Sequence, residues 1–108
     1  MSETLDKVRS HVKAGRVRVS QHGMQELADD GISLAAVIVG VEKGVVVEDY
    51  PDHPRGACVL CLQRDEDDQP IHVLWGLAAR APEVATIITG YRPDPNRWMD
   101  DHMTRKPR

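Results

Sequence analysis

Along the first 44 residues the apolar positions recur at helical spacing, and beyond Gly44 they alternate. Leu5, Val8 and Val12 line one face of a helix expected over residues 3–14, capped by Ser2 or Thr4 and stopped at Gly15. "RVRVS" alternates briefly, as a short strand or an extended lead-in. Ser20 opens a second helix in which Met24, Leu27 and Ala28 share an apolar face, with Gly31 as the stop. Ser33 caps a third, whose stripe is Leu34, Val37, Ile38 and Val41.

Four strands follow, over residues 45–50, 57–63, 71–77 and 84–91, separated by the turn-rich "PDHPRG", "RDEDDQP" and "AARAPE". Such short connections favour antiparallel hairpins over crossovers. Asp94 and Pro95 suit an N-cap and first helical position, so a short helix is expected through about Met103, docked by Trp98 with Met99 or His102. The predicted fold is α+β: N-terminal helices packed on a four-stranded antiparallel sheet with a short C-terminal helix, all in a single domain over residues 1–108.

Side chains alternate across a strand, which sorts the polar ones. Ile71, Val73, Trp75 and Leu77 point one way, and His72, Leu74 and Gly76 the other. Val45 and Val47 oppose Glu48 and Tyr50, while Thr89 and Tyr91 share a side with Ala85 and Ile87. One face of the sheet is then apolar and packs on the helices. The other is expected to collect Glu48, Tyr50, His72, Thr89 and Tyr91, with Gly76 leaving open floor beside His72.

Composition narrows the class. Phenylalanine is absent and only two Trp and two Tyr are present, so the core must be aliphatic. No apolar run approaches the roughly 20 residues that span a bilayer, and "MSETLDKVRSHVKAGR" lacks a signal-peptide core, so a cytoplasmic protein is expected. Cys58 and Cys61 form a literal C-x-x-C, but strand positions three apart face opposite ways, and one pair supplies only two of the four ligands a structural zinc needs. Two small hydrophobes fit better. The contiguous "DEDD" run, Asp65 to Asp68, reads as a solvated hairpin tip, and no metal or cofactor is expected.

The net charge of −3 makes no general case for nucleic acid, but its distribution is uneven. Residues 1–20 carry five basic and two acidic groups, residues 21–91 four and twelve, and residues 92–108 five and three. Basic ends that met in space would form a cationic patch; solvated termini account for them equally simply.

The ordered motifs "S.HG..EL..DGI", "VVEDYPD.PRG.CVL.LQRD", "PIHVLWG" and "TGYRPDPNRW" resemble a subgroup of the bacterial domain-of-unknown-function family 4258, over about residues 19–105. That family is similar in layout to the small RelE-like toxins of the barnase–colicin–RelE nuclease group. The resemblance implies helices before a four-stranded antiparallel sheet, and a toxin-type endoribonuclease or a degenerate one, with RNA or an antitoxin-like protein as partner. His22 matches the family's early histidine and Tyr91 its C-terminal tyrosine. Glu26 and Asp30 stand where the family commonly carries arginine, which weakens a phosphate grip by that helix.

Metal-independent cleavage of RNA through its 2′-hydroxyl needs a base, an acid and a cation for the phosphorane. His72, Glu48, Tyr91 and Arg92 are the candidate catalytic residues, and Tyr50, Thr89 and His22 the candidate ligand contacts. Each also has a plain structural reading: His72 bonded to a cross-strand carboxylate such as Glu48, the tyrosines packing with a wet hydroxyl, Arg92 pairing with the acidic middle, and His22 pairing with Glu26 four residues on. The competing function is a non-catalytic binding module that takes a protein partner or a small ligand on its sheet face.

Overall fold

The computed structural model describes residues 2–107. Its elements run α1 (Glu3–Lys13), β1 (Val17–Val19), α2 (Gln21–Asp29), α3 (Leu34–Gly40), a single 3₁₀ turn (Val41–Lys43), β2 (Val45–Tyr50), β3 (Cys58–Arg64), β4 (Pro70–Gly76) and β5 (Ala85–Tyr91). Serine hydroxyls start all three helices: Ser2, Ser20 and Ser33 accept from the N–H groups of Leu5, Gly23 and Ala36. Gly15 and Gly31 follow α1 and α2 at φ of +75° and +64°, where a side chain would be strained. No helix among the described residues is long and apolar enough to cross a membrane.

The sheet has five strands in the order β1-β5-β4-β3-β2. The sequence predicted four, all antiparallel. The fifth is "VRV", which pairs parallel to β5, Val17 opposite Ala85 and Val19 opposite Ile87. Three residues are too few for a pattern, and the partner lies nearly 70 residues away, so nothing local announces the pairing. The other three pairings are antiparallel, as expected.

All three helices lie on one face. Leu5 and Val8 of α1, Leu27 of α2 and Val37 of α3 join Val59, Cys61, Ile71, Val73, Trp75, Ala85 and Ile87 in a continuous buried core. Within α2 the buried positions are Gly23 and Leu27, whereas Met24 and Ala28, expected on the apolar face, are exposed. The helix approaches β5 so closely that a Cβ at Gly23 would sit 2.9 Å from the Ile87 carbonyl oxygen, and this contact sets the face that turns inward.

Two bulges shape the opposite, outer face. Val47 is an extra residue in β2 between Val46 and Glu48, and Ile88 is an extra residue in β5 between Ile87 and Thr89. Ala85 and Ile87 are therefore core residues, while Thr89 and Tyr91 pair with Leu74 and His72 on the outer face. Strict alternation had placed all four together. The bulge in β2 likewise leaves Val45 on the outer side with Glu48 and Tyr50, and turns Val46 to the core.

The predicted C-terminal helix is absent. Asp94 starts one turn, its carbonyl accepting from Arg97 and Trp98 and its carboxylate from the Asn96 N–H. The chain then doubles back. Trp98 and Arg105 form an antiparallel bridge, with Met99 N–H bonded to the Thr104 carbonyl and Lys106 N–H to that of Arg97. Asp101 organises the tip by accepting from the Met103 and Thr104 N–H groups and the Thr104 hydroxyl. These competing bonds within 97–106 replace a helix with a strap across the outer face.

Candidate functional site

His72, on the central strand β4, is fully buried. Its Nε2 lies 2.6 Å from the backbone carbonyl of His102 in the strap. A carbonyl only accepts, so Nε2 carries the proton. Nδ1 of the neutral ring then accepts, and the Tyr91 hydroxyl, 3.3 Å away and directly across the β4–β5 ladder, is the donor. Trp98 meets the imidazole edge to face at 4.4 Å between centroids, and Tyr91 does so at 5.4 Å. Burial pushes the His72 pKa below its ordinary value and favours the neutral ring that these bonds require.

Glu48 stands nearby on β2. Arg105 grips it with two parallel bonds, Nε to Oε2 and a terminal nitrogen to Oε1, each 2.9 Å. The Tyr50 hydroxyl donates to Oε1 at 2.7 Å. The Arg105 bonds, opposed by burial and helped by Tyr50, hold the Glu48 pKa down at about 2. The same bonds raise the pKa values of Tyr50 and Arg105. Arg105 also lies over the Trp98 ring, 4.7 Å from its centroid. Asn96, Arg97, Arg105 and Lys106 line a polar recess of about 460 Å³ beside this group.

Four of the seven candidate residues therefore come together: Glu48, Tyr50, His72 and Tyr91. Thr89 is half-buried on the same face opposite Leu74, without a side-chain hydrogen bond among the described residues. His22 and Arg92 lie elsewhere. His22 is exposed on α2, in the helix layer, 3.5 Å from Glu26. Arg92, next after Tyr91 at the same end of the strands, turns away from the cluster: it meets Asp65 at 3.0 Å and bonds the Asp30 carbonyl through Nε, while its backbone N–H donates to the Asp30 carboxylate. Asp30, where the family commonly has arginine, is thus a tether for the end of β5.

Sequence reasoning had assigned Trp98 only to docking a helix, and had not singled out Arg105 or the His102 carbonyl. The signal for Arg105 was its place among the cations of "TRKPR"; a carbonyl leaves none. Asp65 differs from a solvated tip: it is buried, and bonds from the Gln69 and Asp67 N–H groups with the Arg92 contact hold its carboxyl below the usual range. Its neighbours Glu66, Asp67 and Asp68 are exposed. Both cysteines are free thiols on opposite faces of β3. Cys61 lies in the core, where burial raises its pKa to about 12.

The open part of the outer face is at the other end of the strands. Cys58, Leu74, Gly76, Thr86 and Ile88 form the floor of a cavity of about 320 Å³, walled by the 53–58 and 77–78 segments. The walls are tied together by Leu77 N–H to Ala57 carbonyl (2.9 Å) and Ala79 N–H to Arg55 carbonyl (3.1 Å). Gly56, at φ +122°, allows that approach: a Cβ there would fall 2.3 Å from the Leu77 oxygen.

The family described as a domain of unknown function (DUF4258) matches the chain over residues 19–92. No curated protein and no solved structure gives a significant match.

Proposed function

We propose that this chain, which belongs to the DUF4258 family, is a non-catalytic binding module that takes a small ligand on the outer face of its sheet. The observation that carries this reading is the preformed, mainly apolar cavity lined by Leu74, Leu77 and Ile88 between two bonded walls, with the Ile88 side chain packed over Gly76. The polar cluster at the other end is an anchor. His72 is unexposed and both ring nitrogens are engaged, and Glu48 accepts three bonds at a pKa of about 2. A base must first lose those partners before it can take a proton from a substrate.

Incubation of the purified protein with single-stranded RNA in EDTA tests the reading. No cleavage above a buffer control is expected, and His72→Ala is expected to lower thermal stability. Metal-independent cleavage that His72→Ala abolishes with the melting midpoint unchanged overturns it.

One observation favours the second reading, a RelE-like endoribonuclease or a decayed relative of one. Glu48, Tyr50, His72, Tyr91 and the cation Arg105 share one face, with Arg97 and Lys106 close by. That chemistry requires the strap to lift. Arg105→Ala weakens the latch on Glu48, so on this reading it raises His72-dependent cleavage unless Arg105 itself contacts the phosphate. On the binding reading it cleaves nothing.

A further inference from the structure

The cavity beside Leu74 and Ile88 carries marks of its ligand. Its lining is mostly hydrocarbon, from Leu74, Ile88 and neighbouring alanines, with Gly76 contributing no side chain. Two features break the apolar character. Thr86, 8% exposed, lines the cavity, and its hydroxyl has no hydrogen-bond partner among the described residues. Buried hydroxyls are ordinarily bonded, because an unpaired one has lost its water without replacement. The other feature is the exposed part of the lining, His53 and Arg55. The Arg55 guanidinium forms no ion pair among the described residues. Its backbone N–H donates to His53 Nδ1, so the neutral imidazole carries its proton on Nε2 as a donor. Donors at the mouth, a hydrocarbon middle and an unsatisfied hydroxyl describe a small amphipathic anion.

We propose that this cavity binds a small carboxylate with a short aliphatic or single-ring body. The carboxylate pairs with Arg55 and the His53 Nε2–H. The body lies against Leu74, Leu77 and the Ile88 side chain that covers Gly76, and Thr86 bonds a polar atom of the ligand. A volume of about 320 Å³ lies at the lower end of the range for small-molecule sites, which limits the body to a few carbons or one ring. The Cys58 thiol stays protonated because burial raises its pKa, so it places no second negative charge on the floor. The inference rests on the binding-module reading and names its ligand class.

The test is a titration of ¹⁵N-labelled protein with hexanoate and phenylacetate, and with hexanamide, phenylacetamide and hexylamine as matched controls, followed by amide shifts. Saturable shifts at Cys58, Gly76, Thr86 and Ile88 are expected with the carboxylates alone. Arg55→Gln, at an exposed position, is expected to weaken them at least tenfold. Thr86→Val keeps the shape and removes the unpaired hydroxyl, so it is expected to raise the melting midpoint while weakening binding several-fold. Amides binding at these residues as tightly as carboxylates overturns the ligand class and leaves the binding reading standing. So does an Arg55→Gln protein with unchanged affinity. If no probe binds and the protein cuts RNA, both fall.

Discussion

At the scale of single residues, His72 shows how an apolar strand keeps an imidazole. The ring is neutral, with one donor and one acceptor, and the strap carbonyl and the tyrosine hydroxyl match them one to one. This fixes the sign of a pH effect. In the unfolded chain the ring titrates near 6.5, and in the fold its pKa is lower, chiefly through burial and then through the His102 imidazole and Arg105; the His102 carbonyl and Glu48 oppose them. The native state therefore binds fewer protons between those values, and stability falls as pH drops below about 6.5, by at most about 1.4 kcal/mol per pH unit. Denaturant midpoints at pH 7.5 and 5.5 should differ in that direction, and His72→Gln should remove the difference. Glu48 acts in a separate window: its stabilisation is complete above 4.5 and is lost as pH falls towards about 2. Gln63 makes the same point in the core. Its amide accepts from the Trp75 indole at 2.7 Å and donates to the Val37 carbonyl at 2.9 Å, joining β3, β4 and α3. Gln63→Leu leaves the indole N–H buried and unpaired and should cost about 1–3 kcal/mol, read as a lower urea midpoint at constant slope.

At the scale of elements, the helices and the four long strands were legible because each is a local pattern: a serine cap, an apolar stripe, an alternation between turns. What alternation could not supply was the pair of bulges. A bulge is held by partners distant in sequence, and here the partner is the start of α2. The Ser20 backbone N–H donates to the Ile87 carbonyl, and its hydroxyl donates to that of Ile88 while accepting from the Gly23 N–H. That clamp satisfies both carbonyls at the irregular point and lets Thr89 and Tyr91 turn outward. The "S.HG" motif is therefore a seat for a bulge, and its histidine, His22, is its exposed member. Gly23→Ala places a methyl 2.9 and 3.0 Å from two backbone oxygens, and neither can retreat without breaking the clamp. It should cost about 1–3 kcal/mol and shift the amide resonances of Thr89 and Tyr91, whereas Met24→Ala on the exposed face should be near neutral. The strap was illegible for a related reason. Asp94 and Pro95 do begin a turn, but Asp101 and the Trp98–Arg105 bridge win the backbone bonds that a helix needs. The seat for Trp98 is His72, which is 26 residues earlier in the chain.

At the scale of the whole molecule, the sheet separates the two basic ends. α1 lies on the core face and the strap on the outer face, so their cations do not form one surface. Many are also spent: Lys7 on Glu3, Lys13 on Glu42, Arg9 on the Val41 and Gly44 carbonyls, Arg92 on Asp65 and Arg105 on Glu48. Beside the His72 cluster this leaves Arg97 and Lys106 without a carboxylate partner among the described residues. Each phosphate neutralised on a single strand contributes about −0.7 to the slope of log K against log salt, so two such cations give a slope near −1.4. Fluorescence anisotropy of a labelled single-stranded RNA across a salt series measures it directly. The expected result is weak binding with a slope no steeper than about −1.5. A slope of about −4 or steeper would require more than five phosphate contacts. At this face a rearranged strap that releases Arg105 and recruits further cations supplies that number, and such a slope, if His72→Ala or Arg105→Ala reduces it, would move the balance to the endoribonuclease reading.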